Sequence, residues 1–169
     1  SRSASEFIFA RLIVMSDNFS ILPHLVPIVI AYCLALPIGW NREQAERSAG
    51  LRTFPLVAVA SCGFVQAVES TMAHDPSALA RVLEGVIAGI GFLGGGAILQ
   101  QKHSVKGTAT AASLWITGAI GLAAGLGSYD VAIVLTAFTL LTFWVMAPLK
   151  PEENERGEEE EISKPGSPR

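Results

Sequence analysis

Charge is scarce along most of this chain, and neither sign is in excess there. Residues 1–149 hold eight basic and eight acidic side chains, so the net charge of −3 comes from the residues that follow. No basic stripe interleaved with aromatics occurs, which leaves nucleic acid without a binding surface. Cysteine is nearly absent too: Cys33 and Cys62 each sit inside an apolar run. They read as small buried hydrophobes, because two isolated thiols make neither a disulfide framework nor a zinc site. The nucleophile elbow, the H-E-x-x-H pair and the phosphate-binding Walker loop are all missing. His24, His74 and His103 are scattered. No enzyme activity is expected and no cofactor is called for.

What the chain does have is hydrocarbon. Half its residues are apolar and its mean hydropathy is +0.44, which places it in the membrane class. Five apolar stretches stand out: 22–40, 54–68, 82–99, 110–126 and 131–149. At 1.5 Å per residue, most are long enough to cross a core of about 30 Å. The expected fold is therefore an all-α integral membrane bundle of five transmembrane helices spanning 21–150. Pro23, Pro27 and Pro37 punctuate the first stretch, with a kink expected at Pro37; Trp40 and Trp144 suit interfacial anchors. Arg42, Arg47, Arg52, Lys102, Lys106 and Lys150 fall in alternate loops, whereas the opposite loops offer Arg81. By the positive-inside tendency, the N-terminus lies outside and the C-terminus is cytoplasmic.

The flanks read differently. Residues 1–20 form an N-terminal extension or an interfacial segment, with Met15 a natural start. Its apolar run, 7–15, is too short to span a bilayer and lacks the small-residue cleavage site of a secretory signal. Residues 151–169 hold seven acids within ten positions; such a run repels itself and is expected to be a disordered acidic cytoplasmic tail.

Residues 85–127 contain eleven of the sixteen glycines. Interior glycine weakens a soluble helix, but in a bilayer small residues let helix backbones approach closely. Gly85, Gly89, Gly91, Gly94, Gly95, Gly121 and Gly125 are therefore the expected helix-packing or partner-binding positions. The third and fourth helices are expected to pack tightly together, with 94–96 as a break or a thin point. The stretch Gly89-Ile90-Gly91-Phe92-Leu93-Gly94 matches a dinucleotide fingerprint, but it lies inside an apolar run rather than after a strand, which rules that reading out.

Polar residues at membrane depth are the candidates for function. Glu84 stands near the start of the third helix, on the same side as Glu69, Asp75, Asp130 and Gln66. These carboxylates could form an outer vestibule for Mg2+, which keeps much of its water and needs few protein ligands. The plainer reading pairs Glu84 with Arg81 or extends it to the headgroups. On the inner side, Arg42 and Glu43 follow the first helix and Arg52 opens the second. Headgroup anchoring with a salt bridge competes there with an ion gate or docking site. Thr110, Ser113 and Thr117 share one helix face, suited to helix–helix hydrogen bonding more than to a polar pathway.

Five motifs then occur in order: Arg42-Glu43; Gly50-Leu51-Arg52-Thr53; the glycine-rich block from Gly89 to Ile98; Val105-Lys106-Gly107; and Thr110-Ala111-Ala112-Ser113-Leu114-Trp115. Together they resemble the MgtC/SapB family of bacterial membrane proteins over about residues 22–147. The resemblance implies a multi-pass inner-membrane protein linked to magnesium homeostasis and adaptation to low magnesium, in some pathogens to survival inside host cells. It makes Arg42, Glu43, Arg52, Gly107, Thr110, Ser113 and Trp115 family-motif positions. Glu84 departs from the glutamine many members carry there. Some relatives bear a cytoplasmic domain where the acidic tail stands here.

Two functional readings follow. The first is a regulator that contacts other inner-membrane proteins, or further copies of itself, through small-residue helix faces. The alternative is an oligomeric magnesium transporter or channel, with Mg2+ as ligand or cargo.

Overall fold

A backbone crossing hydrocarbon must satisfy its own polar groups, which confines the spanning segments of an apolar chain such as this to helices. The computed structural model describes residues 21–45, 50–72, 76–101 and 104–146. They form α1 (Leu22–Ala45), α2 (Thr53–Met72), α3 (Pro76–Ala97), a hairpin of β1 (Leu99–Gln101) and β2 (Ser104–Lys106), α4 (Thr108–Gly125) and α5 (Tyr129–Met146). All five helices are long and apolar enough to cross a membrane. The N-terminal extension, the acidic tail and Asp75 lie outside the described residues.

Several boundaries move from the sequence reading. Helix α1 runs five residues past Trp40 and continues through both Pro27 and Pro37. Helix α3 begins six residues before Val82, so Glu84 stands more than two turns inside it. The break expected at 94–96 is corrected, since α3 continues unbroken through Gly94, Gly95 and Gly96 to Ala97. The basic loop after it is a short antiparallel hairpin, with Leu99 opposite Lys106.

Helix α4 is the axis of the bundle. About 67% of its span is buried, against 39% for α2 and 11% for α3. It packs against each of the other four helices. Around it, α3 meets α2, α2 meets α1, and α1 meets α5, while α3 and α5 lack substantial packing on each other. Trp115 on α4 is 49% exposed and lies beside Gly91 of α3.

The α4 glycines explain that central position: α4 packs on α3 as expected, and more extensively still on α2. Gly121 and Gly125 face α2 rather than α3. A Cβ added to Gly121 would collide with the Ala58 carbonyl and lie 2.8 Å from Ser61 Cβ. At Gly125 it would meet the Cys62 carbonyl and Val65 Cβ, both at 2.9 Å. A third glycine, Gly118, is filled by Ile90 of α3. The Gly121 and Gly125 contacts put backbone against backbone, the close packing that drives association where lipid removes the ordinary hydrophobic gain. Gly94 also faces α4, but a Cβ added there would meet Ala111 only at 3.5–3.8 Å, an ordinary van der Waals distance. By contrast, Gly85, Gly89, Gly95 and Gly96 have nothing within 4 Å of an added Cβ.

Alanine at these two kinds of glycine has opposite expected signs. Gly121→Ala should destabilise the bundle by about 1–3 kcal/mol through overpacking. Gly85→Ala should be neutral or stabilising by up to about 1 kcal/mol, since alanine is the better helix former and the space is open. Reversible unfolding of the two variants in detergent micelles checks the contrast.

Candidate functional site

The motif residues converge at one end of the bundle, where α1, α3 and α5 finish and α2 and α4 begin. Glu43, in the last turn of α1, accepts a 2.7 Å hydrogen bond from the Leu51 backbone amide at Oε2. That amide precedes the α2 N-terminus, where unpaired N–H groups favour a carboxylate. Gly50 fits between them because a Cβ there would run into the Glu43 side chain. A Cβ added to Gly39 of α1 would stand 3.2 Å from the Gly50 carbonyl and 3.3 Å from Phe54 Cβ, so α1 comes close to the α2 entry here. The Glu43 and Gly50 motifs thus form a clasp joining α1 to α2.

Arg42 turns the other way. It is only 8% exposed, its guanidinium stands 4.2 Å from the centre of the Phe143 ring of α5, and it donates to Asn41 Oδ1. A guanidinium over an aromatic face is attracted by the ring quadrupole, more so when desolvated. Phe143 was not visible as a site residue in the sequence: one apolar aromatic among many, it acquires its partner only when the ends of α1 and α5 meet. Gly107 completes this end. Its φ of +88° and the Ala97 carbonyl beside it leave no room for a side chain, so the hairpin can enter α4 only through glycine.

The buried polar face of α4 turns inward as its spacing suggested. Thr110, Ser113 and Thr117 are each at most 2% exposed. Ser113 and Thr117 donate to carbonyls one turn back, Ala109 at 2.6 Å and Ser113 at 2.8 Å. Thr136 and Thr139 of α5 do the same, toward Ala132 and Leu135. These four hydroxyls hydrogen-bond within their own helices.

At the opposite end, Gln66 ties α2 to the first turn of α1 through the His24 carbonyl at 3.2 Å. Glu69, Glu84 and Asp130 are exposed there. No group of three or more His, Cys, Asp or Glu that could hold a metal ion occurs among the described residues. Arg81 donates to Ser77 rather than pairing with Glu84. Glu84 instead stands on the outward side of α3 with Ala88, Phe92 and Gly95. All four are exposed, Phe92 at 83%.

The MgtC family matches residues 28–151, three-quarters of the chain and all of the clasp just described. The chain belongs to the MgtC family. It is 41% identical to Protein SrpB of Synechococcus elongatus, over 68% of this chain and 70% of that protein. It is 35% identical to Protein MgtC of Salmonella typhimurium, over 75% of this chain and 53% of that one. Against Protein MgtC of Brucella abortus the identity is 40%, over 70% and 49% respectively. The chain therefore spans about half the length of the two MgtC proteins. No solved structure matches it.

Within this family member, the clasp is a structural device with measurable strength. Glu43→Ala should speed hydrogen exchange at the Leu51 amide and cost about 1 kcal/mol, the scale of one exposed charged hydrogen bond. Phe143→Leu retains apolar bulk but removes the ring face. It should cost about 0.5–2 kcal/mol, read as a lower unfolding midpoint in micelles.

Proposed function

We propose that this MgtC-family chain acts in the bacterial inner membrane as a regulator linked to magnesium homeostasis, through helix–helix contacts with other membrane proteins. The observation that carries this reading is the contrast between a closed interior and an open α3. Four buried hydroxyls of α4 and α5 hydrogen-bond to carbonyls of their own helices, and glycine contacts bring α4 onto the α2 backbone. No acidic side chain is buried among the described residues, so the interior offers a cation no carboxylate. Meanwhile the outward face of α3 presents Ala88 and Gly95, small residues that would let a partner helix approach. Glu84 on the same face offers that partner a carboxylate.

The orientation belongs to this proposal. The end bearing Arg42, Arg52 and Lys106 is placed in the cytoplasm by the positive-inside tendency. Glu69, Glu84 and Asp130 then face the opposite side.

Glu84 also favours a second reading, an oligomeric magnesium transporter. It stands eight residues after Pro76, roughly 12 Å along the helix, and makes no ion pair among the described residues. A carboxylate at depth is costly and often functional. Only an oligomer could surround it, because it points away from this chain's own bundle.

The two readings separate in one pair of measurements. Under the regulatory reading, Gly95→Leu abolishes complementation of growth at low magnesium while leaving expression and thermal stability unchanged. Proteoliposomes containing the wild-type protein show no saturable Mg2+ uptake. Saturable uptake that falls in Glu84→Gln would replace regulation with transport.

A further inference from the structure

Most apolar helix surface in a bilayer is covered by exchanging lipid. A concave apolar surface with a cation at its mouth differs, because a single lipid can satisfy both. Such a surface lies between α2 and α3, on a side of α3 distinct from the Glu84–Gly95 face. It is a groove of about 830 Å³, with Leu56, Ala60 and Phe64 on the α2 wall and Val86 and Leu93 on the other. Gly85 and Gly89 line it as well, and nothing stands within 4 Å of a Cβ added to either. Arg52 closes one end and Arg81 the other. The Arg52 side chain is exposed and makes no hydrogen bond or ion pair among the described residues.

Three considerations identify the occupant. Water is excluded as a filler, since an ordered water needs two to four polar partners and the walls between the arginines are overwhelmingly apolar. A second copy is disfavoured by charge: a two-fold axis along the membrane normal joins equal depths, setting Arg52 against Arg52 and Arg81 against Arg81. Length favours a lipid chain. The twelve residues from Arg81 to Leu93 rise roughly 18 Å, slightly more than one leaflet of a hydrocarbon core of about 30 Å. A guanidinium at the mouth matches a phosphate, which it can hold through two parallel hydrogen bonds.

We propose that the α2–α3 groove retains one anionic phospholipid from the bilayer, its phosphate on Arg52 and one acyl chain running over Gly89 and Gly85. This assignment requires only that the chain spans a membrane; it stands or falls independently of the regulatory reading.

The test is native mass spectrometry of the full chain, released from micelles doped with equal phosphatidylglycerol and phosphatidylethanolamine. The wild-type protein should retain one phosphatidylglycerol per chain, with roughly tenfold preference over phosphatidylethanolamine, the scale of one charge-assisted contact. The ammonium group of phosphatidylethanolamine offsets its own phosphate and repels Arg52. Arg52→Gln should bring the two lipids to parity, and Arg52→Lys should restore part of the preference. Gly89→Leu should lower retention of both lipids by filling the groove. Soluble glycerol phosphate should fail to compete, because it lacks the chain. The proposal is overturned by wild-type protein without preference, by a preference that survives Arg52→Gln, or by Gly89→Leu retaining lipid unchanged. Efficient disulfide cross-linking of Gly89→Cys into dimers would also overturn it, since a second copy would then fill the groove.

Discussion

The architecture depends on how closely α4 can approach α2. Between two helices in lipid, burying apolar side chains gains little, because the tails they leave are as apolar as the neighbours they meet. Association must come from close packing, and closeness is limited by Cβ. At Gly121 and Gly125 that limit is removed, and the carbonyls of Ala58 and Cys62 lie directly against α4. With α2 held there, α4 becomes the buried axis, and α1, α3 and α5 take the remaining places around it.

The ends of the helices show a different economy. Where α1 passes to α2, polar chemistry joins small-residue packing: the Glu43 carboxylate accepts from the Leu51 amide over Gly50, and the Arg42 guanidinium stacks on Phe143. These two neighbours act in opposite directions, one toward α2 and one toward α5, so a two-residue motif ties three helices together. Gly107 does comparable work at the α3–α4 junction by adopting a backbone conformation that other residues resist. Several motif residues that mark the family are thereby explained as fold determinants, which shifts the search for activity to exposed surfaces.

Helix α3 is where such surfaces concentrate. Its glycines divide by direction. Gly94 packs on α4, Gly85 and Gly89 line the groove beside α2, and Gly95 faces outward with Glu84. One helix can thus contribute to the fold, to a lipid and to a partner through separate sides. Only 11% of its span is buried inside the chain, which leaves room for all three.

The five membrane spans were legible from the sequence because hydropathy over about 20 residues is a local property, fixed by the bilayer thickness alone. The family motifs were legible as well, and so was the inward polar face of Thr110, Ser113 and Thr117, since helical periodicity is local too. Helix ends were less so: the apolar run began at Val82, yet α3 starts at Pro76, because alanine, serine and leucine before Arg81 continue a helix without adding a strong hydropathy signal. The glycine stretch announced the packing of α3 on α4, but not that α2 would come closer to α4 still. A small residue leaves room for a close neighbour, and which helix takes it depends on the arrangement of all five. That arrangement paired Gly121 with α2, left Gly85 and Gly89 facing open space, and brought Phe143 to Arg42 across a hundred residues of chain. Composition determined that this protein is a membrane bundle; tertiary structure decided which faces were used up in building it and which were left for function.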